Sequence, residues 1–169
     1  MKIEDFAACL QMTSPTVSQA EIAHLEQKVE GEFPDDYRSF LLKCNGGYIE
    51  SNVEYISSFT SKPSEFCISS VGGVRHDEPI FSLDSMLVAY HGRIPSDLFW
   101  IMSDPCDNAY CIGLRGENFG QIFFWDHEYE PVKSNWDGGI ESSGNTTLIA
   151  DSFSKFIDGL QITVWKDDD

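Results

Sequence analysis

Residues 98–128 read LFWIMSDPCDNAYCIGLRGENFGQIFFWDHE, and this stretch decides the fold. Three apolar runs stand in it, at 98–102, 109–114 and 121–125. Between the first two, Asp104, Pro105, Asp107 and Asn108 supply turn chemistry, because proline fixes φ and the Asp and Asn side chains close local backbone hydrogen bonds. Between the last two, residues 115–120 form a polar loop with two glycines, suited to an antiparallel hairpin. The runs are nearly continuous and not alternating, so both faces of these strands are covered and they belong to the middle of a sheet. Phe123 and Trp125 point to one side and Phe124 to the other. The rest of the chain must then supply helices to cover the sheet.

The 169 residues suit one domain, read here as residues 1–169 with an acidic tail at 167–169. A globule of this length folds without disulfides or metals. Hydrophobic residues make up 41% and aromatics 13%, which excludes a disordered chain. No apolar run approaches a membrane span, and the acidic start MKIEDF is unlike a signal peptide, so a cytoplasmic location is expected. Cys9, Cys44, Cys67, Cys106 and Cys111 are scattered without a CxxC pair and read as reduced, mostly buried thiols. The formal charge of −17 repels nucleic acid and anionic membranes and attracts a basic partner.

Taken in order, Ile3, Phe6, Ala7 and Leu10 predict a short amphipathic helix. Ser18 and Glu21 form a capping box for a second, with Ile22, Leu25 and Val29 on its apolar face and Gly31 as its left-handed stop. Pro34 opens a third helix carrying Tyr37, Phe40, Leu41 and Cys44, which Asn45-Gly46-Gly47 terminates. Residues 48–51, 53–57 and 66–71 read as strands, with a loop over 58–65. Ser82 caps a helix over 83–91, ended by Gly92. Residues 126–144 form a polar connection long enough to be either mobile or used for binding. Thr147 caps a last helix with a stripe of Ile149, Phe153, Phe156, Ile157 and Leu160, and 161–166 adds a strand.

A search for chemistry comes back empty. There is no G-x-S-x-G elbow, P-loop or dinucleotide fingerprint, and Gly46-Gly47 and Gly72-Gly73 lack the spacing for one. His24, His76, His91 and His127 are spread apart and read as surface or edge residues. Asp104, Asp107 and Asn108 offer oxygen ligands, but Pro105 and Cys106 interrupt the EF-hand pattern. Asp126 and Glu128 fall on one side of a strand and read as a solvated edge, not as glycosidase machinery. Tyr129 and Trp136 lie among acids beyond the third run, as interface anchors do. No enzyme, metal or cofactor is expected.

Ile22 and Glu26, then Phe33-Pro34-Asp35-Asp36-Tyr37-Arg38-Ser39-Phe40-Leu41, then Asn45-Gly46-Gly47, resemble the N-terminal signature of the SUKH superfamily, relatives of a yeast regulator of cell-wall glucan synthesis. The signature runs I-x-x-x-E, L-P-x-D-Y-x-x-F-L, N-G-G, with Phe33 here in place of its leucine. The Asp-rich turn at 104–108, the aromatic run closing in Trp125-Asp126-His127-Glu128, and Ala150-Asp151-Ser152-Phe153 through Phe156-Ile157 are similar to the family's middle and end. The resemblance spans about 18–160. It implies a single α+β domain with a mostly antiparallel central sheet and helices packed on it. It further implies a bacterial immunity protein that neutralises a cognate toxin domain by stoichiometric binding, or else a regulatory or scaffold module serving a cellular partner. For a basic, nuclease-type toxin, the expected contacts are Asp107, Glu117, Glu128, Tyr129, Glu130 and Trp136. The protein itself is expected to be a monomer or a weak homodimer.

Overall fold

A computed structural model describes residues 1–57 and 64–162. Its first three helices are α1 (Ile3–Ala8), α2 (Gln19–Lys28) and α3 (Asp35–Leu41). The capping box is formed: the Ser18 hydroxyl accepts from the Glu21 amide while the Glu21 carboxylate accepts from the Ser18 amide at 2.9 Å. The left-handed residue that ends α2 is Glu30, at φ +52°, and not Gly31 as expected. The Gly31 amide donates to the Glu26 carbonyl and the Glu30 amide to Gln27, which is the Schellman pattern with its left-handed position one residue early. The Glu26 side chain then joins α2 to α3, accepting from the Phe33 amide at 2.7 Å and pairing with Arg38 at 2.6 Å.

Among the described residues, eight strands form one antiparallel sheet: β1 (Leu10–Gln11), β2 (Gly47–Ser57), β3 (Ser64–Val71), β4 (Leu98–Ser103), β5 (Ala109–Gly113), β6 (Ile122–Trp125), β7 (Thr146–Ala150) and β8 (Leu160–Ile162). The order runs β1 to β7 in sequence, and β8 pairs with β2. The three runs of the opening stretch are β4, β5 and β6, inside the sheet as expected. Four expectations are corrected. Leu10 leaves α1 to pair with Ile49 as a strand. The two weak strands at 48–57 are one strand with a register shift between Tyr48 and Val53. Ser64 and Glu65 belong to β3, and the remainder of the expected 58–65 loop lies outside the described residues. Thr147 caps nothing: it pairs with Phe124 in β7, and Ser152 caps the last helix, α6 (Phe153–Gly159), by accepting from the Lys155 amide. Ile149 matched the helical stripe by spacing, yet it is buried on a strand, because pairing with β6 outweighs a four-residue coincidence. Of the expected strand at 161–166, residues 163–166 lie outside the described residues.

Cross-strand partners share a face. Phe99 pairs with Ile112, and Trp100 with Cys111, so these two sets point to opposite sides. On the Phe99 side, α1, α2, α3 and α6 pack an aromatic core: Phe33 meets Phe99 at 5.5 Å, Tyr37 and Phe40 each meet Phe153 at 5.0 Å, and Tyr110 meets Phe156 at 5.6 Å. The sheet curls around α6, since the Tyr55 hydroxyl of β2 donates to the Ile149 carbonyl of β7 at 2.7 Å. On the Trp100 side lies a helix of seven residues, α4 (Leu83–Ala89), capped as expected by Ser82. Its C-terminal neighbour Tyr90 stacks on Trp100 at 6.3 Å and meets Trp125 edge-on at 5.7 Å.

Candidate interaction surface

The Asn45-Gly46-Gly47 motif does more than stop α3. The buried Asn45 side chain accepts from the Val74 amide at 2.7 Å and donates to the Pro15 carbonyl at 2.8 Å. Gly46 sits at φ +72°, and a Cβ there would lie 2.7 Å from the Gly73 nitrogen. Gly73 in turn donates to the Phe81 carbonyl at 2.7 Å and accepts from Leu83 at 2.9 Å. Two glycine pairs without nucleotide spacing thus form a backbone clasp that fixes the entry to α4. His76 closes it and is buried, correcting the expectation of a surface residue. Its Nδ1 accepts from the Glu78 amide at 3.1 Å, so its Nε2 carries the proton and donates to the Met12 carbonyl at 3.0 Å. Phe81, held by the clasp, stacks with Tyr48 at 6.4 Å.

Two grooves flank α4, and Met86 and Tyr90 line both. The larger, about 510 Å³, lies toward the C-terminal end of α2, with Val29, Ile94, Leu98, Trp100 and Trp136 among its walls. Its cations are engaged: Lys28 pairs with Asp84 at 2.6 Å, and Arg115 donates to the Val29, Glu30 and Ser96 carbonyls. The smaller, about 420 Å³, lies between α4 and the β4–β5 turn.

That turn is built by Asp104, whose carboxylate accepts from the Cys106 and Asn108 amides and from the Asn108 side chain. The segment after β6 is a closed loop. Its neck is shut by the Asp126 amide donating to the Asn145 carbonyl at 2.9 Å and by Asn145 Nδ2 donating to the Asp126 carbonyl at 2.7 Å. It holds a short helix, α5 (Ile140–Ser143), which follows a turn that Asp137 closes by accepting from Gly139 and Ser142. Compact loops with adjacent ends are often functional. This one is pinned to the body through Arg93, which pairs with Glu130 at 2.7 Å while lying over the Tyr90 and Trp125 rings at 5.4 and 5.5 Å. The Glu130 bond holds the Arg93 guanidinium above its ordinary pKa.

The expected contact residues separate into groups. Asp107 stands at the mouth of the smaller groove. His127 donates its amide to Asn108 Oδ1 at 3.0 Å, which brings Glu128 and the exposed Tyr129 beside the same turn. Glu130 follows on, already paired with Arg93. Trp136 lines the larger groove and donates its indole N–H to the Gly139 carbonyl. Glu117 lies at the opposite end of β5, in the β5–β6 connection. Sequence reasoning missed Tyr48, Ile80 and Phe81 as groove residues and Arg93 as the loop's anchor. Tyr48 directly follows the glycine pair, and Phe81 precedes a helix cap; only the long-range clasp joins them.

Among the described residues, no three His, Cys, Asp or Glu side chains gather as a metal site, and no helix is long and apolar enough to cross a membrane. No two of the five cysteines are joined in a disulfide; Cys44 and Cys111 are buried, but Cys9 and Cys67 are partly exposed and Cys106 is open to solvent, fewer buried thiols than expected. Burial pushes the Cys44 thiol up to about 12 and raises that of Cys111 as well, so neither supplies a thiolate near neutrality.

The SPbeta prophage-derived uncharacterized protein YokK of Bacillus subtilis (strain 168) is 27% identical to this chain over 160 residues, covering 85% of this chain and 74% of its own length. The model of the SMI1 / KNR4 family (SUKH-1) matches residues 16–159, from just before the capping box to the end of α6 and through every signature motif placed above. The chain therefore belongs to the SMI1 / KNR4 family, SUKH-1.

Proposed function

We propose that this protein is an immunity protein, a stoichiometric inhibitor that binds a cognate toxin domain in the bacterial cytoplasm and performs no chemistry of its own. The observation carrying the reading is the composition of the α4 side. Four large apolar side chains there stand mostly in solvent, Ile80 at 61%, Val88 at 77%, Tyr129 at 69% and Val132 at 70%. They are set in a segment, residues 77–145, with twelve acids against three bases. Apolar anchors ringed by charge of one sign suit a protein partner of the opposite sign. A basic toxin, such as a nuclease built to hold phosphates, has that sign. Family membership supports the reading, since immunity proteins are among the family's bacterial members, and so does a prophage-derived relative.

The test is co-expression with the candidate toxin domain encoded beside the gene in its host. Survival of cells that otherwise die, together with a one-to-one complex on co-purification, is the expected result. Capture of housekeeping proteins with no rescue would instead support the scaffold reading.

A further inference from the structure

The two grooves beside α4 differ in charge. The larger is lined by Lys28, His91 and Arg115 as well as Glu30. Among the described residues lining the smaller, only Asp104 and Asp107 are charged. Asp104 spends its carboxylate on the turn. The Asp107 amide donates to the Asp104 carbonyl, but its carboxylate makes no hydrogen bond or ion pair among the described residues, and it stands at the groove mouth at φ +65°. The walls are Tyr48, Phe81 and Tyr90 rings with the exposed Ile80 beside them.

We infer that this smaller groove receives a lysine or arginine side chain of a basic protein partner, with Asp107 as its counter-charge and the Tyr48 and Phe81 rings against its stem. The inference rests on the binding reading above and deepens it by naming the pocket. The long stem of either side chain covers apolar wall while its head stays at the polar mouth. A cation gains from the ring faces and from the carboxylate together. An anion is repelled by both aspartates. A divalent metal is poorly served, because one free carboxylate and serine hydroxyls fall short of the six or more oxygens that calcium takes. The clasp explains the groove's shape: Gly46 and Gly73 lie backbone to backbone and set Tyr48 against Phe81.

Two measurements decide it. The first titrates the isotopically labelled protein with N-acetyl-arginine amide and, separately, with N-acetyl-citrulline amide, which keeps the shape without the charge. Saturable shifts at Tyr48, Phe81 and Asp107 with the arginine compound, at least fivefold weaker with citrulline and in Asp107→Asn, are expected. Asparagine tolerates the left-handed backbone at this position, so that variant folds. Equal response to citrulline, or shifts confined to the larger groove, overturns the inference. The second compares toxin affinity of wild type, Asp107→Asn and Asp35→Asn, the last an exposed acid of α3 on the helical face. A loss of about tenfold for the first variant and none for the second is expected. If wild type binds the toxin and Asp107→Asn binds as tightly, the pocket is wrong while the immunity reading stands. If wild type binds no toxin, the immunity reading fails and takes this inference with it.

Discussion

On the Phe99 side of the sheet four helices bury Phe6, Phe33, Tyr37, Phe40, Phe153 and Phe156 almost completely. On the Trp100 side one short helix and a pinned loop leave two grooves open and four large apolar side chains in solvent. The same sheet therefore carries a face committed to stability and a face left incomplete. A fully covered sheet has nothing to offer a partner; an incompletely covered one needs its stability from elsewhere. Here the helical face and the backbone clasp supply it, which frees α4 and the 126–144 loop to be shaped by binding.

The sharpest way to break this comparison is to cut into the helical face. Phe156 is fully buried and meets Tyr55 at 4.8 Å and Tyr110 at 5.6 Å, so Phe156→Ala is expected to cost about 4 kcal/mol in urea denaturation. Affinity of the remaining folded protein for its partner should be unchanged. The clasp comes next. Gly46→Ala places a methyl against the Gly73 backbone and strains a left-handed residue, a loss of roughly 3 kcal/mol by the same measurement. Because the clasp also sets Tyr48 against Phe81, partner binding should weaken here, unlike in Phe156→Ala. Equal binding in both variants would show that the clasp serves stability alone.

These positions also mark how far the sequence could be read. The capping box, the middle strands and the Phe153 and Phe156 ending were legible, because each is written in local spacing or in apolar runs. Ile149 was misassigned because its four-residue distance from Phe153 fits a helix, while its true partner, β6, lies more than twenty residues upstream. Glu30 took the left-handed position from Gly31 because the hydrogen bonds closing α2, and not glycine's freedom alone, set the register. For the candidate surface, Asp107, Glu128 and Tyr129 were legible as polar or aromatic side chains in loops. The partnership of Tyr48 with Phe81, and of Arg93 with Glu130, joins residues more than thirty apart and leaves no local pattern.

Arg93 tests whether the loop belongs to the open face or merely hangs from it. Arg93→Ala removes a partly exposed ion pair and two ring contacts, worth about 1 kcal/mol together. Global stability should fall by no more than that. Hydrogen exchange should quicken across residues 126–144 while β4 and β5 stay protected, since the loop is tied to the body at few points. Uniform acceleration over the whole sheet would mean that the loop is part of the core.

The smallest effect on stability is the most informative about function. Val88 lies on the outer side of α4, 77% exposed, in the last turn of the helix. Val88→Lys replaces a β-branched residue by a better helix former and places a positive charge where the helix dipole favours it, so stability should change by less than about 0.5 kcal/mol, if anything upward. Against a basic partner the same lysine removes an apolar anchor and adds a like charge, so association should slow and affinity should drop. Ser39→Lys makes a matching change on the exposed side of α3, over the helical face, and should leave both association and affinity alone. The opposite pattern, with Ser39→Lys weakening the complex and Val88→Lys silent, would move the partner to the helical face and leave the open grooves without a role in binding.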